Sequence, residues 1–272
     1  MLCDIEFINN PQKLYYTGSK IFIRVILKLE VEKTIEELLA KVIGLAKVEF
    51  RRTNDKVHFM NQRNFLLINQ TLPPGTHTYE FEAELPEEFP SSFLGKHGKI
   101  IYKVDVIASR LMNLNRKFSA EFNVIRPLSN YNVSNLPQKD EYFTYFCCWP
   151  CERKILLVEV TIPKSAFATG DFIPVYIKID NRLENERRQI NIRLMQFITY
   201  RGQRLDHETE KNVIQNVTHV TSSFEVFEKL DVPQYIATTS EMCEILKINY
   251  SVNIFMERIK FKFPVTIGGS SA

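Results

Sequence analysis

Residues 167–180 read FATGDFIPVYIKID, and residues 15–28 read YYTGSKIFIRVILK. With Gly18 laid on Gly170, Ile21, Ile23, Val25 and Leu27 fall on Ile173, Val175, Ile177 and Ile179. Each stretch is a Thr-Gly turn followed by apolar residues at every second position, the period of a half-buried strand. The same turn in the same register suggests duplication, and duplication requires other strands to follow in the same order. Tyr102-x-Val104-x-Val106 pairs with Tyr250-x-Val252-x-Ile254, and Phe122-x-Val124 with Phe263-x-Val265. Upstream, IEFINNPQKLYYTG pairs with VEVTIPKSAFATG at one residue's difference. Matched strands in unchanged order predict an all-β chain of two similar antiparallel β-sandwich lobes in tandem.

A length of 272 residues accommodates this, at roughly 120–150 residues per lobe. Apolar residues make up 44% and charged residues 25%, which is ordinary globular composition. The 35 basic and 32 acidic residues leave a net charge of +3, spread without long runs of one sign. That pattern argues against nucleic acid or an anionic membrane as the main partner. No apolar run reaches the roughly 20 residues of a membrane span. MLCDIEFINN, with an acid at position 4, is not read as a signal peptide. The sequons at Asn69, Asn132, Asn216 and Asn249 are therefore not expected to carry glycans. Five cysteines, three of them crowded together, do not resemble a secreted disulfide framework. A reduced, cytoplasmic setting is expected.

Alternation continues through 20–30, 102–108 and 118–124, and again through 156–162, 173–179, 190–198, 248–254 and 259–267. Helical spacing occurs once: Ile35, Leu38, Leu39, Val42 and Ile43 predict a helix over 33–41, with strand and helix equally compatible from Val42 onward. Residues 126–154 hold Pro127, Asn130, Asn132, Asn135 and Pro137 with little alternation, so the boundary is placed there. The expected organisation is a first lobe at 1–126, a linker at 127–153, a second lobe at 154–269 and a short tail at 270–272.

Candidate chemistry is sparse. Cys147, Cys148 and Cys151 in YFCCWPC include a C-x-x-C spacing. A structural zinc site needs four ligands, and neither a second C-x-x-C nor a nearby histidine supplies the fourth. Structural cysteines are the first reading, with metal binding or lipid attachment beside the surrounding aromatics as alternatives. His207-Glu208-Thr209-Glu210 lacks a second histidine four residues on, and reads as a solvated hairpin tip. There is no G-x-S-x-G, P-loop or G-x-G-x-x-G motif, so no catalytic residues and no cofactor are expected. Residues 72–106, LPPGTHTYEFEAELPEEFPSSFLGKHGKIIYKVDV, are more distinctive. They alternate as strands around a loop with Pro86 and Pro90, where Gly95 and Gly98 are expected to supply positive φ.

That segment closely resembles the first lobe of the α-arrestins, or arrestin domain-containing proteins. The shared features are a Leu-Pro-x-Gly turn, the Pro-Ser-Ser-Phe-x-Gly-Lys-His-Gly loop and a Tyr-x-Val strand. FCCWPC resembles the family's interlobe segment, VTIPKSAFATGDFIPVYIKIDN its second-lobe opening and FPVTIGG its closing strand, so the resemblance covers about 5–269. It implies two tandem arrestin-like, immunoglobulin-like sandwiches. It also implies a non-enzymatic adaptor that binds receptor or transporter tails and brings them to endocytic and ubiquitin-ligase machinery, in the cytoplasm and peripherally at plasma membrane and endosomes. The family's ligase contact, Pro-Pro-x-Tyr on a WW domain, is absent here: Pro73-Pro74 is followed by Gly75 and Thr76. Cys243 aligns with a second-lobe cysteine that, in one thioredoxin-binding member, is proposed to form a mixed disulfide. Buried packing is the first reading for Cys243, and a redox contact the second. A retromer-like coat subunit is a further alternative.

Overall fold

The two stretches that suggest duplication are strands with the predicted inward faces. Ile21, Ile23, Val25 and Leu27 are completely buried, and Ile173, Val175, Ile177 and Ile179 are at most 5% exposed. The computed structural model of the protein describes residues 1–8, 10–109, 115–133, 136–148, 152–181, 187–202 and 207–270. The chain divides into two compact units. One comprises Met1–Arg126 with Tyr200–Glu208 and Met242–Leu246. The other holds Pro127–Thr199, Thr209–Glu241 and the chain from Lys247 onward.

The strands, in order, are β1 (Leu2–Phe7), β2 (Leu14–Tyr16), β3 (Lys20–Leu29), β4 (Lys33–Phe50), β5 (Thr53–Leu72), β6 (Gly75–Glu84), β7 (Phe93–Leu94), β8 (Gly98–Ser109) and β9 (Arg116–Ile125). They continue with β10 (Gln138–Cys148), β11 (Glu152–Ile162), β12 (Ala166–Ala168), β13 (Phe172–Asn181), β14 (Arg188–Arg201), β15 (His207–Thr221), β16 (Glu225–Asp231), β17 (Leu246–Met256) and β18 (Ile259–Gly268). One sandwich pairs sheet β1-β3-β6 with sheet β2-β9-β8-β4-β5, on which β7 flanks β8. The other pairs β10-β11-β13-β16 with β12-β18-β17-β14-β15. Among the described residues the orders repeat strand for strand, apart from β7 in the first sandwich and β10 in the second.

The duplication extends to individual hydrogen bonds. Gly18 and Gly170 sit at φ +84° and +86°, a backbone region that suits only glycine without strain. The N–H of Thr17 donates to Ile125 O (3.0 Å), as that of Thr169 does to Gly268 O (2.9 Å). The N–H of Gly18 donates to Leu85 O (2.7 Å), as that of Gly170 does to Val232 O (2.9 Å). Tyr102 Oη donates to Pro90 O and Tyr250 Oη to Ala237 O, each from a buried ring whose hydroxyl burial pushes up in pKa.

Cross-strand register corrects two of the sequence matches. Tyr102 lies opposite Phe122, and Tyr250 lies opposite Val265, so Val265 rather than Phe263 is the counterpart of Phe122. Phe7 faces Ile23 and Val160 faces Ile177, which makes Ile5 the counterpart of Val160, not of Val158. The connection after β1 is accordingly three residues longer than the one after β11, rather than one. Both errors are two-residue slips, which leave the inward face unchanged and are invisible to an alternation pattern.

The helix expected over 33–41 is part of strand β4. Ile35 and Leu38 are both completely buried although they are three residues apart in one strand, and the ladder with β5 shifts register only afterwards, between Leu38 and Leu39. Leu38, Leu39 and Ala40 are all buried, which mimics helical spacing in sequence. Pairing with β5 on one side and β8 on the other satisfies the backbone and overrides local propensity. The stretch read as loop-rich linker supplies β10, antiparallel to β11 along its whole length.

Replacing Tyr102 or Tyr250 by Phe removes the donor from a carbonyl in a buried corner. Each substitution is expected to lower the unfolding free energy by about 1–3 kcal/mol in urea denaturation. Tyr235→Phe, at a side chain that is 95% exposed, is expected to leave it unchanged.

Candidate interaction surface

The distinctive loop separates into an architectural part and a divergent part. Leu85–Ser92 (LPEEFPSS) lies without a gap on Val232–Thr239 (VPQYIATT). Ser92 N–H donates to Val124 O (2.8 Å) and Ser92 Oγ accepts from Val124 N–H (2.9 Å). Thr239 repeats both bonds with Ile267, at 2.7 and 2.8 Å. These residues close each sandwich. Sequence reasoning missed the match, although Pro86/Pro233 and the paired hydroxyl residues were visible signals of it.

From Leu94 the copies diverge. Gly95 and Gly98 do not have positive φ; among the described glycines, that conformation belongs to Gly18, Gly75 and Gly170. They are needed for close approach instead. A Cβ on Gly95 would lie 2.5 Å from the Phe93 ring and 2.6 Å from Tyr200 Oη. One on Gly98 would meet Lys47 O and Val48 Cγ1 at 2.9 Å. His97 is held by its carbonyl, which accepts from Glu49 N–H (2.8 Å), and its ring stands edge-on to Tyr200 at 5.5 Å. Its Nε2 lies 3.4 Å from Glu208 Oε1, so Glu208 faces this loop rather than open solvent.

Beside the loop is a cleft of about 210 Å³ lined in part by Lys47, Lys96, Lys99 and Glu49. Lys47 lies directly opposite Lys56 on β5 and Lys99 on β8, a row of three like charges across adjacent strands. Such a row is unfavourable unless countered, and Glu49, 2.7 Å from Lys47, counters it in part. Further along the same face, Asp105 is only 2% exposed and lies 3.0 Å from Lys103, 2.8 Å from Lys117 and 2.6 Å from Ser119 Oγ. Burial alone would raise its pKa; the hydrogen bonds from Lys117, Ser119 and Lys103 outweigh that and hold the carboxyl below its ordinary value.

The other sheet of this unit ends on β1, whose only partner among the described residues is β3. Its counterpart β11 has β10 on the equivalent edge. Ile8 N–H donates to Phe22 O (2.9 Å), so the alternate groups of Cys3, Ile5 and Phe7 point away from β3, where the Phe7 carbonyl accepts from Asn10 N–H (3.3 Å). Sequence reasoning could not find this edge, because pairing is non-local. Cys3, on the same strand, has its thiol pushed up to about 11 by burial and then by Asp4.

Of the predicted site residues, Cys243 carries a reduced thiol and is 6% exposed. Cys147 and Cys148 contribute backbone to β10, their side chains falling outside the described set, and Cys151 lies outside the described residues. Among the described residues, no group of three or more His, Cys, Asp or Glu could hold a metal ion, and no helix is long and apolar enough to cross a membrane.

Two duplicated sandwiches, each opened by a Thr-Gly turn and closed by a buried tyrosine corner, define the class of two-domain arrestin folds. The model of the arrestin (or S-antigen) N-terminal domain matches residues 3–131, and that of the C-terminal domain matches residues 152–272. Arrestin domain-containing protein 17 of Caenorhabditis elegans is 25% identical, the match covering 96% of this chain and 68% of the relative. Arrestin domain-containing protein 5 of Homo sapiens is 23% identical over 73% of this chain and 63% of its own length. Arrestin domain-containing protein 4 of Mus musculus is 25% identical over 79% and 55%. The chain belongs to the arrestin family, on the branch of the arrestin domain-containing proteins, or α-arrestins. It spans between about half and two thirds of these relatives.

The depressed pKa of Asp105 ties stability to pH. Its stabilising effect is fully present above the unfolded carboxylate value of about 3.9 and is lost as pH falls through the lower folded value. Asp105→Asn is expected to flatten the dependence of urea midpoint on pH below about 4. At pH 7 it should cost about 1–3 kcal/mol, because Lys103 and Lys117 lose their counterion.

Proposed function

We propose that the chain is a non-catalytic adaptor that captures an extended cytosolic segment of a receptor or transporter on the open edge of β1. It presents that cargo to endocytic and ubiquitin-ligase machinery, working in the cytoplasm and peripherally at plasma membrane and endosomes. Residues 1–126 and 154–269 serve as the two lobes, joined through 127–153. The observation that supports this is the outward row of backbone groups at Cys3 and Ile5, continued by the N–H of Phe7. An edge of that kind takes up a partner strand through main-chain hydrogen bonds, with alternate side chains giving selectivity. Membership in the arrestin family supports the adaptor role, and the row of Lys47, Lys56 and Lys99 would draw the chain toward an anionic cytosolic leaflet. A redox role for Cys243 has less support, since its side chain is buried.

Proline at Ile5 deletes an outward N–H without touching the ladder to β3, the position in which an edge strand tolerates it. Ile5→Pro is expected to reduce proximity labelling of membrane-protein cargo about fivefold, the worth of one main-chain hydrogen bond, while the circular dichroism spectrum stays the same. Undiminished cargo labelling by the folded variant, or recovery of soluble metabolic proteins alone by the native chain, would refute the proposal.

A further inference from the structure

The second unit shows what a covered edge looks like. Leu136-Pro137-Gln138 borders a cleft of about 450 Å³ with Thr239, Asn249, Tyr250 and Pro264 before the chain enters β10. Two strand edges are guarded there at once. β10 pairs with β11 from Gln138 opposite Ile162 onward, and Gln138 Nε2 donates to Pro264 O at 2.9 Å. Pro264 has no N–H to leave exposed, so the edge of β18 at that point is satisfied on both counts. Lys139 then reaches Glu159 at 2.8 Å.

The first unit has the same two edges, and among the described residues no strand covers them; only the Phe7 carbonyl is capped, by Asn10 N–H at 3.3 Å. Asn123 N–H donates to Lys13 O (2.8 Å), as Thr266 N–H does to Ser165 O (2.8 Å), which fixes the correspondence of Glu121 with Pro264. By the alternation of the strand, the N–H and C=O of Glu121 both point off the edge of β9, where β2 reaches only Asn123–Ile125. Lys13 N–H is committed to Asn10 O, and the Asn10 amide to Leu14, so neither neighbour serves Glu121. Beside it is a cleft of about 390 Å³ lined in part by Ser92, Phe93, Ile101, Glu121 and Asn123, whose counterparts in the second unit include Thr239, Asn249, Pro264 and Thr266. Register makes Asp4 the counterpart of Glu159, giving the open β1 edge an acid where the covered edge meets a lysine.

We propose that the first unit takes its missing guard from a partner: an extended segment, antiparallel to β1, with proline and then glutamine entering beside β9 and a basic residue following. The glutamine amide carries both a donor and an acceptor, matching the free C=O and N–H of Glu121, whereas Gln138 finds only a carbonyl at Pro264. The basic residue meets Asp4 as Lys139 meets Glu159. This inference rests on the β1 edge being the docking strand, and adds a second anchor and a sequence preference to it.

The chain's own segment serves as probe. The synthetic peptide LPQKDEYFT, residues 136–144, is added to the full chain, with binding read by fluorescence anisotropy and backbone protection by hydrogen exchange. Binding with slowed exchange at Cys3, Ile5, Phe7 and Glu121 is expected. Glu121→Pro in the protein, which copies Pro264 and spares the ladder to β8, is expected to weaken binding about fivefold. Alanine in place of the peptide's glutamine should weaken it by a similar factor, and the two changes should be non-additive. No binding, or binding unaffected by either change, would overturn the inference. If Glu121→Pro fails to fold, the alanine peptide on the native chain decides the matter, since undiminished protection of Glu121 is then the overturning result. If Ile5→Pro abolishes binding while both glutamine-site changes leave it intact, the second anchor is refuted and the β1 edge stands.

Discussion

Each unit depends on one turn in which consecutive peptide groups serve different sheets. Thr17 N–H ties the chain to Ile125 at the end of β9, and Gly18 N–H ties it to Leu85 just beyond β6. β2 belongs to the larger sheet and β3 to the smaller, so this is where the chain crosses the sandwich. Past these two bonds the chain turns into β3 at Gly18, whose left-handed backbone glycine adopts without strain. Thr169 and Gly170 do the same for the second unit. The inward faces of β3 and β13 can only be filled in register because this crossing sets where each strand begins.

Much of that architecture is legible in the sequence because it is written in period two. The faces of Ile21–Leu27 and Ile173–Ile179 needed no structure to identify. What alternation cannot show is a displacement by two, hence the misassignment of Phe263 to Phe122, or a strand whose buried positions depart from period two, hence the helix expected at Ile35 and Leu38. Loop function was harder to judge. Pro90, Ser91 and Ser92 carried the strongest family resemblance, yet the hydrogen bonds of Pro90 and Ser92 recur at Ala237 and Thr239 as part of closing a sandwich. Gly95 and Gly98 were legible as necessary, but for the wrong reason: steric room rather than backbone sign.

The candidate surface was not legible at all, and the cause is general. An edge is defined by a pairing that does not happen, and one chain's local pattern cannot report that. Comparing the two copies recovers the information. Where the repeats agree, a residue serves the fold, and where they disagree, one copy has been released from that duty. β10 against an empty edge, and Pro264 against Glu121, are disagreements of that kind.

The row of Lys56, Lys47 and Lys99 has a further consequence for local dynamics. Side chains across a ladder normally help hold it shut, but here they push it apart, and the strands are kept together by their backbone bonds and inward apolar faces. That end of the β4–β5 hairpin should be the first part of its sheet to breathe, with opening damped by salt, which shortens the reach of the repulsion. Protein–solvent proton exchange at Lys47 and Lys56 thus becomes a local gauge of ionic environment, independent of whether the molecule as a whole unfolds.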